Sequence, residues 1–352
     1  AHEELLALDP LHHFVTAEAY LAERGSPDAF LSALGGEYPD QTLLELAVGY
    51  ANLGLRDDAL ALLRLDPPAG GVRAGSPRGP VQRAWQAYLT ENRSLLAGAP
   101  AAAFAFPSRH ATLPVLEWAT QRSLDWIWTY LFALNLWAVD RDDEAARLLE
   151  SLGQSPDFGP FYVVRAHLLS QLRGVDPMPD LRRAVGLDPE NRTLHLHLIR
   201  QSQDRGRWEE ALETVERARV RFPGDFNLSL LHARTLINLD RSQQAARLLA
   251  GTHVLPSENA RESHRLWEQA HTGAALDAMQ AGDYGRAREH LVSALEWPES
   301  LGQGRPYEPE ERLVRLLLGR VERWLGDEIA AREAFEAVVD ASAGPDGLAA
   351  AG

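Results

Sequence analysis

The sequence contains no cysteine. That excludes disulfides, thiol nucleophiles, thiolate zinc sites and iron–sulfur clusters. It also contains no lysine, so every basic side chain other than histidine is an arginine. A Schiff-base lysine and the lysine of a phosphate-cradling loop are therefore both excluded. Strand patterns are nearly missing: no run of alternating Val, Ile and Thr is bounded by turn dipeptides. Long apolar runs are missing too. The longest, residues 126–139, is broken by Thr129 and Asn135 and is too short to span a bilayer. The first residues lack the basic and apolar regions of a signal peptide. A start at Ala1 rather than Met looks truncated, and the expected location is cytoplasmic. Positive charge is scarce: the net charge is −15, which disfavours nucleic acid and anionic membrane as partners.

What the sequence has is a recurring pattern. A Gly or Asp is followed five residues later by Ala, and then by a leucine-rich run. The copies are Gly54–Ala59, Asp140–Ala145, Gly206–Ala211, Asp240–Ala245, Gly282–Ala287 and Gly326–Ala331. An apolar, helix-like stretch precedes each copy. The pattern predicts a helical hairpin. Gly, and less readily Asp, takes the left-handed conformation that ends a helix. The Ala allows the second helix to cross the first closely, and acidic residues between them suit the second helix's N-terminus. Gly206 and Asp240 are 34 residues apart, the unit length of a tetratricopeptide repeat. Asp140 and Gly206 are 66 apart, close to two units, so the unit between them has an irregular turn. The copies resemble tetratricopeptide repeats from about Thr42 to Ala341. The expected fold is all-α, a right-handed α-solenoid of about seven helical hairpins.

Several segments depart from the repeat. Residues 67–80 are so rich in Pro and Gly that an exposed loop is expected. Residues 97–110 form a second break, with one helix between the two. We expect residues 1–125 to be an irregular helical region, 126–341 a regular array and 342–352 a tail without function. Trp118, Trp126, Trp128 and Trp137 cluster with Tyr130 and Phe132, chiefly as helix-crossing core, or else as a partner groove or sugar platform. Two insertions lengthen the last units: Thr252–His264 and Glu296–Arg312. Repeat arrays carry such insertions on one face, often the binding face. Arg261, His264, Trp297, Arg305 and Tyr307 are the contact candidates.

No pattern points to catalysis. His195 and His197 are two apart on a helix and face different ways. His264 and His271 share a face, but spacing supplies no third ligand, so neither a metal nor a cofactor is expected. The many paired carboxylates fit helix starts and solvated faces.

Four stretches carry a narrower resemblance: Leu8–Phe14, Thr112–Ala119, His253–His264 and Trp297–Leu313. In these the chain resembles the helical half of large bacterial proteins in which a β-sandwich similar to galactose mutarotase precedes a tetratricopeptide array. The resemblance implies a helical accessory that docks on such a sandwich and shapes its cleft, with carbohydrate reached only through that domain. It transfers no catalytic residue. The residues themselves favour a non-catalytic scaffold that holds a protein or peptide segment, with a basic partner favoured by the acidic surface.

Overall fold

The computed structural model describes residues 9, 12–22, 26–34, 39–65, 79–101, 105, 107–256 and 261–342. Among these the chain is all-helical, with no strand. It divides into two compact units, residues 1–187 and 188–352. The first unit holds α1 (His13–Leu21), α2 (Pro27–Ala33), α3 (Pro39–Asn52), α4 (Arg56–Arg64) and α5 (Pro80–Thr90). It continues with α6 (Leu113–Thr120), α7 (Trp126–Trp137), α8 (Asp142–Ser151), α9 (Gly159–Arg173) and α10 (Met178–Leu187). The second holds α11 (Arg192–Asp204), α12 (Trp208–Arg221), α13 (Phe226–Asn238) and α14 (Ser242–Ala250). It ends with α15 (Arg261–Gln280), α16 (Tyr284–Ala294), α17 (Arg312–Leu325) and α18 (Glu328–Ser342). Successive helices pack as hairpins: α3 with α4, α7 with α8, α9 with α10, and each consecutive pair from α11 to α18. This is the α-solenoid that the repeat predicts.

All six turn residues of the repeated pattern take the left-handed conformation, with φ from 56° at Asp240 to 85° at Gly326. The next residue's N–H reaches back to the carbonyl five residues before it. Arg207 donates to Ser202, Arg241 to Leu236 and Asp327 to Glu322, at 2.8–2.9 Å. These bonds use carbonyls that the helix end leaves open, so each turn is closed by its own backbone. Two turns escape the sequence pattern. Glu91 is left-handed after α5, and the N–H of Asn92 bonds the Ala87 carbonyl at 2.9 Å. Gly174 is left-handed after α9, 34 residues past Asp140, and closes more loosely, Val175 to Leu169 at 3.4 Å.

The alanines lie where expected. Ala59, Ala145, Ala211, Ala245 and Ala287 are fully buried, and Ala331 nearly so. Around Ala245 the core comprises Ala233, Leu236, Leu249, Leu266, Trp267 and Ala270. α14 and α15 approach so closely that a Cβ on Gly273 would lie 2.8 Å from Ser242 Cβ. Small residues at the crossing thus set the distance between helices.

The aromatic cluster is core only in part, with Trp118, Trp126, Phe132 and Trp137 partly exposed. Trp128 and Tyr130 are buried, and Tyr130 meets Phe161 edge-on at 5.6 Å. The Asn135 that interrupts the apolar run is buried and donates to the carbonyls of Pro107 and Arg109, at 3.3 and 3.1 Å. It pins the irregular segment before α6 onto α7. Residues 66–78, 102–104 and the tail from 343 lie outside the described residues. So do Leu8, Pro10 and Leu11 of the stretch Leu8–Phe14.

Candidate functional site

The two insertions are shorter as loops than the sequence suggests, because helices claim their ends. His264 already lies in α15, and Arg312 opens α17. The loops join to one another. The Val254 N–H donates to the Ser300 carbonyl at 2.8 Å. Ser263, buried on α15, donates to the Leu301 carbonyl at 2.7 Å. A 3₁₀ turn, Glu299–Leu301, ends at Gly302 with φ 69°. A Cβ on Gly302 would lie 2.6 Å from the Val254 carbonyl oxygen, so only glycine fits between the strands of chain. Val254 and Leu301 both enter the core cluster around Trp267.

His264 and Trp297 are brought together. Their rings stack with centroids 3.3 Å apart and planes 6° from parallel. His264 Nε2 lies 3.1 Å from the Glu296 carbonyl, which can only accept, so this nitrogen carries the proton. Burial pushes the imidazole below its ordinary pKa, partly offset by that bond and by Glu311. His264 is only 7% exposed, so it stands behind the loop and orients Trp297. One helical turn on, Trp267 donates to the Ser293 carbonyl at 2.7 Å and packs on His271. His271 Nδ1 lies 3.2 Å from His290 Nδ1. Burial, then the nearby His290, pushes His271 down to about 4. Both rings are neutral at neutral pH, and one donates to the other.

Arg305 and Tyr307 differ in kind. Arg305 bonds Glu311 at 2.8 Å, and Arg315 bonds the same carboxylate at 2.6 Å. Glu311 is almost buried, so two guanidiniums offset its desolvation. Glu268 lies near this group, its pKa raised by burial and then by Glu310 and Glu311. Glu310 is held below the carboxylate range by its hydrogen bond from Arg312. Tyr307 is 97% exposed. Arg261 is the first residue of α15, and its side chain lies outside the described residues.

The sequence reading missed Glu311, on which Arg305 depends. The spacing of Glu311 to Arg315, four apart at a helix start, was the available signal. It also missed Glu268, four residues from His264 on the same helix face. Elsewhere, His195 is buried against the Pro189 carbonyl at 2.8 Å while His197 is exposed. Among the described residues no three His, Asp or Glu side chains converge as metal ligands. No helix there is long and apolar enough to cross a membrane.

Neither a family model nor a curated protein matches the sequence. Solved structures do align. MamA matches at 15% identity over 49% of this chain and 92% of its own, with a TM-score of 0.36. YrrB, described as a TPR protein with an unusual peptide-binding site, matches at 14% identity over 57% and 95%, with a TM-score of 0.37. A tetratricopeptide repeat protein from Parabacteroides merdae matches at 12% identity over 80% and 98%, with a TM-score of 0.34. Likenesses this distant say nothing about a site, and function is read from this chain's own residues.

Proposed function

We propose that this chain is a non-catalytic scaffold that holds a protein or peptide segment on the loop platform of its second unit. The mutual locking of the two insertions carries this reading. A loop of this length is ordinarily costly to order. Here the Val254–Ser300 bond, the Ser263–Leu301 bond and the His264–Trp297 stack fix it. The fixed loop then presents Tyr307 to solvent, with Arg305 half-exposed beside it, Leu313 exposed six residues on and Leu255 exposed on the other insertion. A rigid aromatic next to a guanidinium is the usual anchor of a protein contact. Within this reading Arg305, Tyr307 and Trp297 touch the partner, and His264 and Glu311 hold them in place. Arg261 at the start of α15 joins the contact set. Residues 296–315 carry five glutamates against three arginines, so a basic segment fits best.

The test uses the chain as bait in lysate of its source, in parallel with Tyr307→Ala and Arg305→Ala. A protein retained by the wild type at fixed stoichiometry, and lost with both variants at unchanged melting temperature, supports the platform. Equal retention by all three removes these loops from the contact.

A further inference from the structure

The first unit contains a second feature that the loop platform does not use. Three helix ends meet there: the α3–α4 turn, the end of α5 and the end of α6. They enclose a cleft of about 610 Å³, lined by Arg56, Tyr88, Leu89, Glu91, Trp118 and Arg122. Ala51 and Gly54 complete the wall.

Two observations make its chemistry specific. The first is the state of its arginines. Many arginines elsewhere close on carboxylates, as Arg141 does on Glu144, Arg165 on Asp180, Arg312 on Glu310 and Arg332 on Glu336, although Arg83 and Arg219 do not. Arg56 and Arg122 do not. Arg56 donates to the Leu89 carbonyl at 2.6 Å, which fixes it at the open end of α5. Arg122 lies over the Trp118 ring, 4.6 Å from its centroid, and reaches the Trp118 carbonyl only at 3.4 Å. Among the described residues neither guanidinium has a carboxylate within ion-pair distance. In a chain of net charge −15, two cations at one cleft with no carboxylate partner are a local inversion of sign.

The second observation is the aromatic wall. Tyr88 meets Trp118 edge-on at 5.9 Å, and Trp85 meets Tyr88 edge-on at 6.3 Å behind it. Trp85 is buried, and its N–H donates to buried Thr112 at 3.3 Å. Tyr88 and Trp118 are therefore held from behind and remain half-exposed. A carboxylate alone would leave this wall uncovered, and an apolar group alone would leave both guanidiniums unpaired.

We propose that this cleft binds an acidic side chain adjacent to an aromatic or large aliphatic one, presented within a protein segment. The carboxylate pairs with Arg56 and Arg122, the apolar neighbour lies on Tyr88, Leu89 and Trp118, and Glu91 accepts from a backbone N–H of the same segment. Glu91 is the one carboxylate among the lining residues, and it disfavours ligands that bring only negative charge.

The experiment titrates the full chain, with its tryptophan indoles labelled for NMR, using end-blocked Glu-Phe dipeptide and its Gln-Phe counterpart. The Trp118 signal is assigned by its loss in Trp118→Phe. Expected is a shift of the Trp118 signal with Glu-Phe in the millimolar range, about tenfold weaker with Gln-Phe. Arg122→Gln, at an exposed position, should abolish the difference between the two peptides. Tyr307→Ala should leave it intact, which separates this cleft from the loop platform. Equal binding of the two dipeptides overturns the proposal, as does a Trp118 signal that stays put up to about 20 mM Glu-Phe. So does glucuronate shifting that signal as strongly as Glu-Phe, because the cleft would then be a sugar-acid site.

Discussion

The α13–α14 turn and the loop between α16 and α17 meet the same demand, to reverse a helix, in opposite ways. The turn does so with a left-handed Asp240 and a bond from Arg241 to Leu236. Nothing outside the hairpin takes part. The loop uses residues 295–311 and closes on another loop and on α15. A hairpin needs only the first solution. The surplus chain in the second is held by long-range contacts and carries exposed side chains, which is what the proposed partner contact would use. The lesson is that in a repeat the place to look is where closure stops being local.

The sharpest way to break the local solution is to enlarge its alanine. Ala245→Phe forces a ring between α14 and its neighbours, and overpacking should cost about 3 kcal/mol. Urea unfolding should show an earlier midpoint, with hydrogen exchange rising first in α13 to α15. An unchanged midpoint would mean that small size at the crossing does not set helix spacing.

The non-local solution breaks at Gly302. Gly302→Ala must put a methyl against the Val254 carbonyl at a φ that L residues avoid, a loss of about 2 kcal/mol. The expected sign is specific. Amides of Val254 and of the 3₁₀ turn should exchange faster, whereas the Arg241–Leu236 closure should not change. Uniform loosening would show that the loops are part of the hairpin core after all.

A smaller effect separates the two regions by pH. His271, behind the platform, has its folded pKa lowered to about 4, from an ordinary value of 6.5. Between those values the unfolded chain binds more protons than the folded one. The contribution to stability is therefore complete above about 6.5 and is lost as pH falls towards 4, by roughly 1–2 kcal/mol. His232, also about 4 through burial and the charge of Arg219, follows the same course at another hairpin. His271→Gln should flatten part of the pH dependence of urea stability while His232 keeps the remainder. A variant that tracks the wild type from pH 7 to 4.5 would remove His271 from the balance.

The hairpins were legible because each turn is written in local chemistry. A residue tolerant of positive φ and an alanine five positions on recur in the sequence, and their roles require no distant partner. Glu91 shows the limit: a glutamate in the left-handed region carries no signature, so that turn passed unread. Gly174 supplies only half of the signature: Pro179 stands five positions on, and the buried alanine of the next helix, Ala184, comes ten residues on. For the site, the insertions were visible as breaks in spacing, and His264 and Trp297 proved to be neighbours. What could not be read was depth. Nothing in the chain order says that His264 faces inward while Tyr307 faces solvent, or that Glu311 binds two arginines. The Arg56–Arg122 cleft was equally hidden, because its walls come from three helix ends spread over some seventy residues.

The close approach of Gly302 to Val254 also bears on inheritance. The two segments are nearly fifty positions apart in the chain. A recombination breakpoint anywhere between them would hand one loop to a descendant without its counterpart. The glycine would then face a stranger's backbone, and the stacked rings would lose a mate. Shuffling whole hairpins is the ordinary way such arrays diversify. Here the last two units travel together or not at all.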